Sequence, residues 1–320
     1  MVDDEDEDVL RAAGLAFDEG FDFFYSGQSD KALAAFREAY GIYQRAGVNE
    51  GQTDCLLYIA IVFSYEGRYE DVVVTYRKAL RLAPQASRWR RRLTWLSNMG
   101  RALERLARYE EALDSYREAL QVHREFGRDE CRQITWLNDA GHVLQRVGRH
   151  DEALESYREA LEICRRTDCA GRQKADCLES IGLSLSELGR YEEALGASRE
   201  ALDIYRKLPN VDQDRGDCLL RVGDVLYWDG RFEGARESYC QALEVYRRLK
   251  GAERRQADCL VSIGKAQVML DRYAEALASW GEALEFYRRV GGGQEDQSDC
   301  LEEAMRELRD ATGSHEEDAQ

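Results

Sequence analysis

The sequence predicts an all-α fold, a solenoid of seven antiparallel helix pairs closed by one further helix. Three observations carry that reading. A seven-residue phrase starts at Gly27, Gly67, Ala107, Gly148, Gly189, Gly230 and Asp271, at successive spacings of 40, 40, 41, 41, 41 and 41. Apolar residues on either side of it recur at helical rather than strand intervals. Only two prolines occur in 320 residues, which leaves long helices uninterrupted. A fixed period of this length means stacked supersecondary units, none of which buries its apolar face alone.

The first helix of each unit precedes the phrase by about a dozen residues. In the clearest copy it reads Asp176-Cys177-Leu178-Glu179-Ser180-Ile181-Gly182, and it returns as Asp217-Cys218-Leu219 and Asp258-Cys259-Leu260. Leu178, Ile181 and Leu185 fall on one face. The phrase itself, Gly189-Arg190-Tyr191-Glu192-Glu193-Ala194-Leu195, opens with a glycine suited to a left-handed turn. The second helix then presents Tyr191, Ala194, Leu195, Ala201, Leu202 and Tyr205 along one stripe.

Small residues mark where helices approach closely. The first-helix site is Gly20, Ala60, Gly100, Gly141, Gly182, Gly223 or Gly264, and the second-helix site is alanine in every copy: Ala39, Ala79, Ala119, Ala160, Ala201, Ala242 and Ala283. A larger side chain there would push helices apart at about 1–3 kcal/mol. Glycine inside a helix costs about 1 kcal/mol against alanine, so close packing must offset it.

The chain closes with residues 298–309, which repeat the first-helix pattern from Asp299-Cys300-Leu301 but carry Glu302, Glu303, Arg306 and Glu307. Such a polar half-unit caps the last apolar face. Six acids in residues 3–8 and Glu316, Glu317 and Asp318 supply nine of the net charge of −17. Residues 1–8 and 310–320 therefore read as solvated, disordered tails flanking an array over 9–309.

The spacing Leu–x₂–Ile–Gly–x₆–Gly–x–Tyr–x₂–Ala–x₆–Ala resembles the tetratricopeptide repeat, over about residues 13–309. That resemblance implies a right-handed superhelix. The period departs from the family's commonest one of 34 by about seven residues, nearly two helical turns, so both helices lengthen without rotating their faces. Long repeats of this kind are similar to those of kinesin light chains and spindle-orienting adaptors. The closing proline of the short form survives only as Pro84.

Several classes of function are excluded by what the residues lack. Nothing approaches a membrane-spanning apolar run, and the acidic opening is unlike a signal peptide, which reads as cytoplasmic. The acidic balance argues against general nucleic-acid binding. Arg88, Arg90, Arg91 and Arg92, beside Trp89 and Trp95, read as a charged loop between units rather than a base-stacking surface. Cys55, Cys177, Cys218, Cys259 and Cys300 share one repeat position with Trp95 and Trp136, so that position is a packing site. The nine cysteines are expected to be reduced thiols, and Cys164, Cys169 and Cys177 lack the pairing of a zinc site. His123, His142, His150 and His315 are dispersed, and Gly264-Lys265 has no phosphate-loop context. No catalytic residue, metal or cofactor is expected.

What remains is binding, because stacked helix pairs create an extended concave surface. In the family, first helices line it. Carried onto this sequence, the lining falls in three zones. The N-terminal zone is apolar: Phe17, Phe21, Phe24, Tyr25, Leu57, Ile61 and Tyr65. The middle is basic and polar: Arg101, Arg105, Asn138, His142 and Arg146. The C-terminal zone mixes Leu183, Asp224, Tyr227, Trp228, Lys265 and Met269. Arginines in an acidic array focus positive potential, and arginine and aromatic residues dominate hot spots. The expected partner is a protein or peptide with an acidic centre and apolar anchors, held by a non-catalytic scaffold or adaptor. Two alternatives are a self-associating structural array and a peptide-sensing regulatory subunit acting through a partner chain.

Overall fold

Each copy of the recurring phrase folds as a helix end, a turn and a helix start. In the computed structural model, which describes residues 4–83, 89–127, 129–167, 171–290 and 295–317, the residue opening the phrase has a positive φ in every copy. It is 71–77° at Gly27, Gly67, Gly148, Gly189 and Gly230, and 57° at Ala107 and Asp271. The Arg190 N–H donates to Leu185 O at 2.8 Å and the Gly189 N–H to Ser186 O at 2.9 Å, the paired bonds of a Schellman end. Glu192 and Glu193 then occupy the first turn of the next helix, where the macrodipole favours acids.

The chain divides into two compact units, Met1–Ile163 and Cys164–Gln320. The first holds α1 (Asp4–Tyr25), α2 (Ser29–Arg45), α3 (Asn49–Tyr65), α4 (Tyr69–Leu82), α5 (Trp89–Arg105), α6 (Tyr109–Phe126), a 3-10 turn (Glu130–Arg132), α7 (Gln133–Arg146) and most of α8 (His150–Arg166). The second holds α9 (Gly171–Glu187), α10 (Tyr191–Tyr205), α11 (Asp212–Trp228), α12 (Phe232–Arg247), α13 (Glu253–Val268), α14 (Tyr273–Val290) and α15 (Glu295–Glu317). Among the described residues there is no strand, and no helix is long and apolar enough to cross a membrane. Within each unit, helices pack on their neighbours in the chain.

Close approach explains the small residues. A Cβ added at Gly100 would lie 2.6 Å from the Tyr116 ring, at Gly141 2.6 Å from Tyr157, and at Gly20 2.6 Å from Phe36. All seven second-helix alanines are 0% exposed. The shared cysteine or tryptophan position is buried at Cys55, Trp95, Trp136, Cys177, Cys218 and Cys259. Cys300, on α15, departs from this and is exposed.

Polar ladders tie one pair to the next. The arginine of the phrase clasps two acids: Arg149 meets Glu152 at 2.6 Å and, from the preceding copy, Glu110 at 2.9 Å. Arg108 does the same with Glu111 and Glu70. In the second unit Arg231 reaches Glu192 at 3.0 Å and Arg272 reaches Glu233 at 3.2 Å. In the second unit a further set of bonds joins the two helices within a pair. Tyr205, Tyr246 and Tyr287 donate to Asp176, Asp217 and Asp258 at 2.7, 2.6 and 3.2 Å.

Some expectations change. Helix α1 starts at Asp4, inside the acidic run read as a tail, since acids at a helix start are stabilised by its dipole. Helix α15 likewise runs to Glu317, past the cap expected over 298–309, and buries Leu301 and Met305. Cys131 is disulfide-bonded, against the expectation of nine reduced thiols. It lies in the 3-10 turn, outside the repeat position from which the packing argument was drawn. Among the basic cluster, Arg91 pairs with Asp54, Arg92 with Glu118, and Arg90 lies over the Trp89 ring at 5.1 Å. Pro84, Arg88, Cys169, Asp318 and residues 1–3 fall outside the described residues.

Candidate functional site

In the first unit, the first helices of consecutive pairs bring two of the predicted zones together. Ile61 and Tyr65 end α3, and Arg101 and Arg105 end α5. The four line one cavity of about 320 Å³ with Tyr69, Tyr76 and Asn98. The Tyr76 hydroxyl accepts from Asn98 Nδ2 at 3.1 Å. Burial pushes that phenol up to about 12, so it stays a neutral hydrogen-bonding group in the cavity wall. Arg101 reaches Asp139 at 3.4 Å, and burial raises the Asp139 carboxyl while Arg101 draws it back down. Arg105 is exposed and makes no ion pair among the described residues.

The remaining candidates of this unit sort by their contacts. Phe17 and Phe21 are half-buried and committed to packing, with ring centroids 5.5 and 4.4 Å from Tyr58 and 5.5 and 5.7 Å from Phe36. Phe24 lies 5.4 Å from Tyr65, and Tyr65 and Tyr25 are 78% and 81% exposed. Leu57 and Asn138 are half-buried. His142 is exposed, with its Nδ1 3.0 Å from the Tyr157 hydroxyl. Arg146 sits over the Tyr109 ring at 5.2 Å.

In the second unit Trp228 is 67% exposed, with Tyr227 against it at 5.7 Å and Phe232 behind Tyr227 at 5.4 Å. Lys265 lines a different cavity, of about 410 Å³, with Val261, Trp280, Tyr287 and Leu301. Lys265 also acts on the Asp224 carboxyl, which burial raises and Lys265 lowers.

The tetratricopeptide repeat profile matches residues 91–166, 132–207 and 217–294, together more than half of the chain. The chain belongs to the tetratricopeptide repeat family.

Solved tetratricopeptide repeat proteins share the fold at low identity. A signal-transduction ATPase with numerous domains, carrying a tetratricopeptide repeat sensor and coming from Pyrococcus horikoshii, aligns with a TM-score of 0.69 at 14% identity. It covers 91% of this chain and 44% of that one. A tetratricopeptide repeat protein from Parabacteroides merdae aligns with a TM-score of 0.59 at 14% identity, over 93% and 99% of the two chains. A putative kinesin light chain with nearly identical repeats, from Podosopora anserina, gives 0.55 at 13% identity over 63% and 98%. No curated protein matches the chain.

Two kinds of residue in this tetratricopeptide repeat array escaped the sequence reading. Tyr76 and Asn98 shape the first-unit cavity because the tyrosine that packs on the small first-helix residue also sends its hydroxyl past it. The recurrence of Tyr76, Tyr116, Tyr157 and Tyr239 at one repeat position was the available signal. A second cavity, beside the buried His123, had no periodic signal at all, since it is a feature of one copy.

Proposed function

We propose that the chain is a protein-interaction scaffold that docks a peptide or helical segment on the first-helix face of its pairs. The observation that carries this is the meeting of Tyr65 and Arg105 in one cavity. Tyr65 is 78% exposed, and Arg105 lines the same cavity with no ion pair among the described residues. An exposed aromatic ring beside an uncommitted guanidinium supplies the two side-chain types that contribute most at protein interfaces. The cavity takes an acidic side chain at Arg105 and an apolar one at Ile61 and Tyr65. Trp228 in the second unit is an additional aromatic anchor.

The test is an array of short peptides that pair one Asp or Glu with one Leu, Phe or Trp at varied spacing. It is probed with the full chain and with Arg105→Glu and Tyr65→Ala. Selected peptides should bind each variant at least about tenfold more weakly, a loss of about 1.4 kcal/mol, while Arg117→Glu binds like wild type. Equal binding by Arg105→Glu, with its melting curve unchanged, would remove the cavity from the reading.

A further inference from the structure

The first unit contains a second cavity, of about 480 Å³, lined by Trp89, Arg90, His123, Phe126, Asp129 and Arg132. Trp89 and Arg90 open α5, whereas Arg101 and Arg105 close it. Eleven residues separate Arg90 from Arg101, about 17 Å along the helix. The two cavities are distinct.

His123 is the unusual member. It is 1% exposed, and neither ring nitrogen has a hydrogen-bond partner among the described residues. Burying an unpartnered polar group costs free energy, so such a group needs an explanation. The repeat supplies a comparison. In three other copies this position is Tyr205, Tyr246 or Tyr287, and each hydroxyl donates to an aspartate on the first helix. Here the corresponding first-helix residue is Thr94, whose hydroxyl is spent on Arg90 O at 3.3 Å. Gly127 keeps the space open, since a Cβ there would fall 2.5 Å from His123 Nε2.

The rest of the lining describes a complementary ligand. Trp89 and Phe126 are apolar aromatic walls, with the Trp89 ring 6.4 Å from His123 and nearly perpendicular to it. Asp129 is occupied: one oxygen accepts from the Cys131 N–H at 3.2 Å and the other lies 3.5 Å from Arg132. Two arginines against one aspartate leave a single net positive charge, and it falls to Arg90. Burial keeps the His123 imidazole below its ordinary pKa. A neutral ring offers one donor and one acceptor.

We propose that this cavity binds a small aromatic monocarboxylate, with its ring between Trp89 and Phe126, its carboxylate on Arg90 and a polar ring atom on His123. The volume lies within the range of small-molecule sites. A free aromatic acid and the carboxyl terminus of a chain ending in an aromatic residue present the same chemistry. The site stands apart from the peptide-docking face, so either reading can fail without the other.

The probe is indole-3-acetate, whose indole N–H can donate to His123. The full chain carries four histidines, few enough for imidazole nitrogen resonances to be followed individually by NMR. The expected result is a saturable shift of the His123 ring signals, absent in His123→Phe and at least tenfold weaker in binding to Arg90→Gln. Arg91→Gln, which removes a neighbouring guanidinium paired with Asp54, should bind like wild type. A tetrapeptide ending in tryptophan distinguishes the sources: binding as tight as the free acid assigns the site to chain termini, and tenfold weaker binding assigns it to small acids. No His123 shift at millimolar probe, or an equal shift with uncharged indole-3-acetamide, would overturn the proposal.

Discussion

Gly223 lies so close to Tyr239 that a Cβ built on it would fall 2.4 Å from the ring. The same approach recurs through the array. Gly264 stands 2.2 Å by the same measure from Trp280 Nε1, and Gly182 stands 2.6 Å from the Ser198 hydroxyl. The partners differ in what they can yield. A tyrosine ring wedged between helices has nowhere to go, whereas a serine hydroxyl rotates away.

Gly223→Ala should therefore destabilise the protein by about 1–3 kcal/mol, as overpacking does. Gly182→Ala should be close to neutral, since removing a helical glycine recovers up to about 1 kcal/mol. Thermal melts of the two variants side by side check this. Equal losses would mean that backbone packing, not the Tyr239 ring, sets the limit.

Ala107 holds a left-handed turn at φ 57° that five other copies give to glycine. A residue with a Cβ costs about 1–2 kcal/mol there, and glycine's greater unfolded freedom returns part of that. Ala107→Gly should raise stability by about 1 kcal/mol and shift the denaturation midpoint upward. Asp271→Gly should gain less, because the Asp271 carboxylate accepts a bond from Tyr273 at 2.6 Å that glycine cannot make.

The Tyr246 hydroxyl donates to Asp217, which also meets Arg255 at 3.2 Å. Tyr246→Phe removes one bond and leaves the carboxylate partnered. The loss should be about 1 kcal/mol, measured by urea denaturation. A loss above about 3 kcal/mol would mean that the hydroxyl carries more of the ladder than one bond.

Burial holds the His123 imidazole below the ordinary histidine pKa, with Asp129 opposing the shift and Arg132 adding to it; Arg90 faces the same cavity. The unfolded chain then takes up this proton more readily than the folded chain. Stability from this site is complete above the ordinary value of about 6.5 and declines as the pH falls below it. His123→Phe should lose less stability than wild type between about pH 7 and pH 5, read from denaturation midpoints at several pH values. Parallel curves would show that His123 titrates normally.

Leu301 and Met305 are buried on α15, at 7% and 6% exposure. Leu301→Ala should cost about 2 kcal/mol, the lower end for a buried leucine, because the neighbouring cavity leaves a poorly filled surround. Differential scanning calorimetry would record the shift. An unchanged melting curve would mean that α15 does not stabilise the helices beneath it.

Much of the fold was legible because it is periodic. The alanines at Ala39 through Ala283 and the glycines at Gly100 and Gly223 announce close approach by recurring, and each is where a Cβ or a larger group would clash. The site was legible only in part. At the first-helix positions Tyr65, Arg101, Arg105 and Trp228 are exposed, whereas Phe17 and Phe21 spend their faces on Phe36 and Tyr58, a difference the repeat position alone does not carry.

Helix periodicity, the turn glycines and the repeat spacing are local or near-neighbour properties, so a single sequence sufficed for element type, pairing and the packing face. The choice among equivalent arginines was not available at that level. Arg91, Arg92, Arg108 and Arg149 clasp acids from other helices, while Arg105 meets none among the described residues. Which guanidinium is free, and which histidine is buried without a partner, depends on distances between side chains some 30 to 40 residues apart. Those distances exist only once the helices have packed.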